Sequence, residues 1–171
     1  MQASPPSATR RVTLVLDDEA ATEALAGGIA AIVCRGDLVA LEGPLGAGKT
    51  HFARALVHAL QRRAGMPPEE VPSPTFTLVQ TFRIVGNGLD LDVWHIDLYR
   101  VRDEEELVEL GLEEALASAV TLVEWPDRMG ALVPDDRLEI RLEPEDGTMR
   151  RATLSGIGAW ADRLTRLEAA P

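Results

Sequence analysis

Residues 38–51 read LVALEGPLGAGKTH, and the way this stretch folds decides the rest of the chain. Leu38 to Leu41 is a short apolar run of the kind that forms a strand buried on both faces. The eight residues that follow, Gly43-Pro44-Leu45-Gly46-Ala47-Gly48-Lys49-Thr50, fit GxxxxGK[ST] at every fixed position. Beyond them, Lys49 to Arg63 contains neither glycine nor proline, and Phe52, Leu56, Val57 and Leu60 recur at helical spacing. Gly65 and the pair Pro67-Pro68 end that helix. Strand, glycine-rich turn and amphipathic helix in this order describe a phosphate-binding loop. Glycines let successive backbone N–H groups converge on one anion, and the first helical turn adds more amides and the positive end of a dipole.

Lys49 is the only lysine, and the other sixteen of the 17 Lys+Arg residues are arginine. A compact ammonium on a flexible stem can follow the β and γ phosphates, where the planar fork of arginine needs more room. In a chain so biased toward arginine, a merely tolerated surface cation would be arginine too. Thr50 offers its hydroxyl to magnesium, and His51 continues the turn, so Gly43 to His51 are the expected nucleotide contacts. The bland alternative is a glycine-rich loop with a solvated Lys49, and the flanking strand and helix weigh against it. Guanine readers usually carry Asn-Lys-x-Asp, which a single lysine inside the loop excludes. ATP with Mg2+ is the expected ligand.

With 171 residues the chain can bury one sizeable core. A net charge of −11 repels phosphate backbones, so direct grip on DNA or RNA is not expected. A 4% aromatic content leaves little surface for stacking bases. Cys34 stands alone, which rules out an internal disulfide and fits a reducing compartment. No apolar run reaches membrane-spanning length, and MQASPPSATRR lacks the apolar core of a secretory signal. The expected location is the cytoplasm, with residues 1–10 a disordered leader and 11–171 one P-loop ATPase domain.

Outward from the loop, VTLVL at 12–16 reads as a strand. Asp17 or Asp18 then caps a helix with Ala21, Leu25, Ile29 and Ile32 on one face. Pro72 and Pro74 hold an extended loop, followed by a β-rich run from Thr75 to Val85. Asn87-Gly88 is a hairpin turn leading into LDVWHIDLYR. An acidic helix is expected over Asp103 to Leu116, with Leu107, Leu110 and Leu116 inward. AVTLVEWP at 119–126 is another buried strand, DRLEIRLEP and MRRATLSG pair as a hairpin, and Ala159 to Leu167 forms a closing helix. The expected fold is α/β: a single P-loop NTPase-like domain with a central mixed sheet flanked by helices and an antiparallel hairpin component.

Glu124 ends the run Val120 to Val123, where an acid beside the phosphate loop meets magnesium directly or through water; its bland alternative is an edge residue beside a turn. Strand alternation puts His95, Asp97 and Tyr99 on one face. Asp97 there can orient an attacking water or hold a metal-bound one, with His95 supporting it, or it can pair with Arg100 on a solvated face. Thr75, in Ser73-Pro74-Thr75-Phe76, sits where switch segments place a hydroxyl, although Ser-Pro-Thr also describes an ordinary turn. Trp125 packs or lines the cleft. His51 and His58 suit solvation or packing better than metal binding, and Arg62-Arg63 and Arg150-Arg151 are docking points for an acidic ligand or, more commonly for such short pairs, plain surface.

Together LEGPLGAGKT at 41–50, VPSPTFTLVQ at 71–80, HIDLYR at 95–100, ELVELGLEE at 106–114 and VEWPDR at 123–128 resemble the TsaE (YjeE) family of small bacterial P-loop ATPases. The resemblance runs from Val12 to Leu154. It implies ATP and Mg2+ binding and slow ATP hydrolysis. It also implies association with TsaD and TsaB during threonylcarbamoylation of adenosine 37 in ANN-decoding tRNAs, with tRNA met only through that complex. Thr50 and Glu124 match the family's magnesium-associated positions, Asp97 its acid near the phosphates, and Thr75 its switch-like threonine. Glu19 to Thr22 matches an N-terminal segment beside the nucleotide. The chain departs from the family at His51, where a second threonine is common, and at Phe82, near a common tyrosine. The carboxylates of 103–114 are expected to meet basic patches on a partner. Two rivals stand beside this reading: a small-molecule kinase on the same loop, and a nucleotide-dependent binding module without meaningful hydrolysis.

Overall fold

The computed structural model describes residues 8–168. Seven strands form one sheet in the order β1-β7-β6-β2-β5-β4-β3: β1 (Thr9–Leu16), β2 (Leu38–Glu42), β3 (Val79–Gly86), β4 (Leu89–Asp97), β5 (Val120–Glu124), β6 (Arg137–Pro144) and β7 (Arg150–Ile157). The core β6-β2-β5-β4 is parallel. Hairpin partners extend it antiparallel at both ends, β3 on β4 and β7 on β6, with β1 on β7. The α/β class, the mixed sheet and both hairpins are as expected from the sequence.

Leu38 to Leu41 and Val120 to Glu124 are buried throughout because helices cover both faces of the sheet's centre. On one face lie α1 (Glu19–Ile32), α2 (Lys49–Ala64) and α5 (Ala159–Glu168), over a core containing Ile29, Phe52, Leu56, Leu60, Leu122 and Trp160. On the other lie α3 (Glu104–Glu109), α4 (Leu112–Ser118) and a 3-10 segment, Pro126–Leu132, over Leu38, Ile96, Leu98, Leu107 and Val123. Asp18 caps α1 by accepting from the Ala21 amide at 2.8 Å. Gly65, at φ +73°, closes α2 at the position expected for it.

Four expectations change. Thr9 and Arg10 belong to β1 rather than to a leader, and Arg10 pairs with Glu168 at 2.6 Å; residues 1–7 of that leader lie outside the described part. The run from Thr75 becomes strand only at Val79. Thr75 to Leu78 is a turn, with Leu78 at φ +65° and its amide on the Pro74 carbonyl at 2.7 Å. The acidic helix is two short helices, since Gly111 at φ +74° interrupts it and caps the second. The 3-10 segment after Trp125 has no counterpart among the expected elements.

Candidate functional site

The loop between β2 and α2 needs its glycines for two different reasons. Gly43 has φ +139°, and a Cβ built on it would lie 2.2 Å from the Leu142 carbonyl oxygen of β6. Gly48, at φ +100°, begins α2 without a side-chain cap, so the helix's first amides are left for a ligand. Lys49 is 4% exposed. Its Nζ donates to the Gly43 and Pro44 carbonyls at 2.7 and 2.9 Å and stands 4.2 Å from the centre of the Trp125 ring. Burial pulls the Lys49 pKa below its usual value, and the nearby charges of Glu124 and Asp97 partly restore it.

Parallel pairing sets the carboxylates beside this lysine. Leu41, Glu124 and Asp97 are in register across β2, β5 and β4, at the carboxyl ends where α/β sheets bind ligands. Glu124 is 3% exposed and Asp97 4%, so neither the sheet-edge nor the solvated-face alternative describes them. Glu124 Oε1 accepts from Thr50 Oγ1 at 2.8 Å and lies 2.8 Å from His95 Nε2. Asp97 accepts from the Tyr99 amide at 2.9 Å and from Thr75 Oγ1 at 3.3 Å.

His95 therefore supports Glu124, where the sequence suggested Asp97. Tyr99 also departs from expectation. β4 ends at Asp97, and the Tyr99 ring tilts against Trp125 with centroids 5.0 Å apart. Arg100 stands 4.5 Å over Phe76 instead of pairing with Asp97.

One cleft of about 310 Å³ gathers Leu45, Gly46, Ala47, Gly48, Lys49, Thr50, His51, Thr75, Asp97, Glu124 and Trp125. Gly43 and Pro44 instead line a larger hollow of about 650 Å³, to which Trp125 also contributes. A third recess of about 130 Å³ adjoins the loop through Ala47, Gly48 and His51, and Asp18, Glu19, Thr22, Leu142, Thr148 and Arg150 complete it. Arg150, read from sequence as a docking point or plain surface, donates from Nε to the Ala47 carbonyl at 3.1 Å. The arginine pair carried no signal of this, because the contact spans 103 residues of sequence. His58 meets the Glu69 carbonyl at 2.9 Å, away from the cleft.

The donors fit a phosphate chain with a hard cation: backbone amides and an ammonium for the anion, and hydroxyl and carboxylate oxygens for magnesium. Among the described residues no three His, Cys, Asp or Glu side chains cluster to enclose a metal. No helix among those residues is long and apolar enough to cross a membrane.

Comparison with known proteins gives a consistent result. The family described as "Threonylcarbamoyl adenosine biosynthesis protein TsaE" matches residues 16–152. A protein of Rickettsia felis named tRNA threonylcarbamoyladenosine biosynthesis protein TsaE is 33% identical, covering 92% of this chain and 88% of its own length. A Bacillus subtilis protein of the same name is 36% identical over 80% of both chains. The crystal structure of Bacillus subtilis YdiB superposes with a TM-score of 0.74 at 26% identity, covering 95% of this chain and 97% of that one.

Proposed function

The chain belongs to the TsaE family, and on that premise we propose that it is an accessory ATPase of tRNA threonylcarbamoyladenosine biosynthesis. It binds ATP with Mg2+, hydrolyses it slowly to ADP and phosphate, and associates in the cytoplasm with TsaD and TsaB homologues. Those partners carry the carbamoyl transfer to adenosine 37 of ANN-decoding tRNAs. The observation that carries the proposal is the bond between Thr50 and Glu124, 2.8 Å long and linking the first turn of α2 to the end of β5.

The chain's own groups divide the work. The amides of Gly46 to Thr50 and the Lys49 ammonium hold the polyphosphate, the ammonium leaving the Gly43 and Pro44 carbonyls to do so. Thr50 and Glu124 would hold magnesium, which supplies charge neutralisation between the phosphate oxygens. Asp97, fixed by Thr75 and the Tyr99 amide, orients the attacking water. Trp125, with its ring against Lys49, walls the cleft. An acidic chain that works through partners has no need to grip tRNA itself.

Two measurements test this. Phosphate release is compared for the chain alone and with TsaD and TsaB, using Lys49→Ala as control; stimulated release that vanishes in the variant is expected. Unstimulated, variant-insensitive release would leave a nucleotide-dependent binding module. Modification of tRNA is then followed over many turnovers with each component omitted, and full-rate turnover without this chain would overturn its assignment to the process.

A further inference from the structure

We propose that His95 is the positioning residue that holds Glu124 in place once Thr50 turns its hydroxyl toward a magnesium-bound nucleotide. The inference rests on the nucleotide reading above but concerns a residue to which that reading gives no task.

His95 lies on β4 two residues before Asp97, opposite Leu122 in the register that also aligns Asp97 with Glu124. Its ring is therefore on the same face of the sheet as both carboxylates, one step deeper. The residue has 0% exposure. Nε2 lies 2.8 Å from Glu124 Oε1, and because an ionised carboxylate only accepts, Nε2 carries the proton in this contact. Nδ1 is buried and has no hydrogen-bond partner.

Thr50 and His95 share one oxygen. Both bonds fall on Oε1, so neither occupies Oε2. The two donors differ in what a ligand can do to them. Thr50 lines the cleft and can be drawn to a cation; His95 does not line it and stays where it is. When the hydroxyl leaves, the imidazole alone still fixes the carboxylate's position. Partners of this kind orient the groups that hold metals and govern their affinity.

The test is calorimetry of the full chain with the non-hydrolysable imido analogue of ATP, with magnesium chloride and again in EDTA. His95→Leu removes the donor. His95→Gln restores a nitrogen at the distance of Nε2, and His95→Asn places one too short to reach. His95→Leu is expected to lose about tenfold of the magnesium-dependent gain in affinity while binding in EDTA changes less than twofold. Glutamine should recover most of that gain and asparagine little. A folded His95→Leu with the full magnesium gain would overturn the proposal. Equal losses in both conditions, or equal behaviour of glutamine and asparagine, would reduce His95 to packing and overturn it as well. Should the leucine variant not fold, the glutamine–asparagine contrast decides alone. Wild-type chain that binds the analogue under neither condition would refute the nucleotide reading itself.

Discussion

Replacing Gly43 with alanine tests whether the loop's position is set by its contact with β6. The new Cβ would sit 2.2 Å from the Leu142 carbonyl oxygen and 3.0 Å from the Ala47 Cβ, on a backbone at φ +139°. Leu142 cannot easily retreat, because it is paired with Ala152 of β7 on its other side. Gly46 is the matched control: its φ is +78°, but no atom lies within 4 Å of a Cβ built there. Gly46→Ala should therefore cost only the left-handed backbone, about 1 kcal/mol. Gly43→Ala adds overpacking against a fixed carbonyl, about 2 kcal/mol more, for a total of about 3 kcal/mol. In a chain of this size each kcal/mol lowers Tm by roughly 2–4 °C. Thermal unfolding followed by circular dichroism should thus show a loss of about 6–12 °C at Gly43 and about 2–4 °C at Gly46. Relief of the clash moves the loop off β6, so Gly43→Ala should also bind ATP about tenfold more weakly where it is still folded. Equal Tm values for the two variants would refute the claim that Leu142 fixes the loop.

Burial holds the Lys49 pKa below its usual 10.5, so the folded chain gives up this proton at a lower pH than the unfolded chain. The charged ammonium costs stability below the folded pKa, and stability rises with pH from there to 10.5. The Tm of wild type relative to Lys49→Met, without ligand, should rise as pH climbs through that window; a difference unaffected by pH would contradict this. Arg150→Met removes the donor to the Ala47 carbonyl and should cost about 1 kcal/mol, or roughly 2–4 °C in Tm, with severalfold weaker ATP uptake. Arg151→Met, which loses only an exposed pair with Glu145, should move neither measurement, and identical effects of the two substitutions would show that the loop contact has no role.

The amino-acid order alone determined the strand–loop–helix unit, because everything that makes it is local. An apolar run, two glycines and a lysine at fixed spacing and a helix free of breakers specify it without reference to any distant residue. Period-two alternation likewise identified β4 and β6, β7 followed as the hairpin partner of β6, and Asn87-Gly88 marked the β3–β4 turn where it occurs. Where two local signals competed, the pattern misled. Thr75 to Leu78 has strand-like composition, yet a Pro74–Leu78 backbone bond holds it as a turn. The acidic run has helical periodicity on both sides of Gly111, which nonetheless breaks it.

Tertiary structure decided the site's connections. Periodicity says which face a side chain occupies but not which strand lies beside it, so it put His95 with Asp97, its neighbour in sequence. Parallel pairing of β4 with β5 instead brought Glu124, 29 residues on, within 2.8 Å of the ring. The Thr50–Glu124 bond across 74 residues and the Arg150–Ala47 bond across 103 arise in the same way. The sequence could nominate the chemical groups, but only the order and register of the strands could choose their partners, because hydrogen bonding depends on distances that one chain's local pattern does not contain.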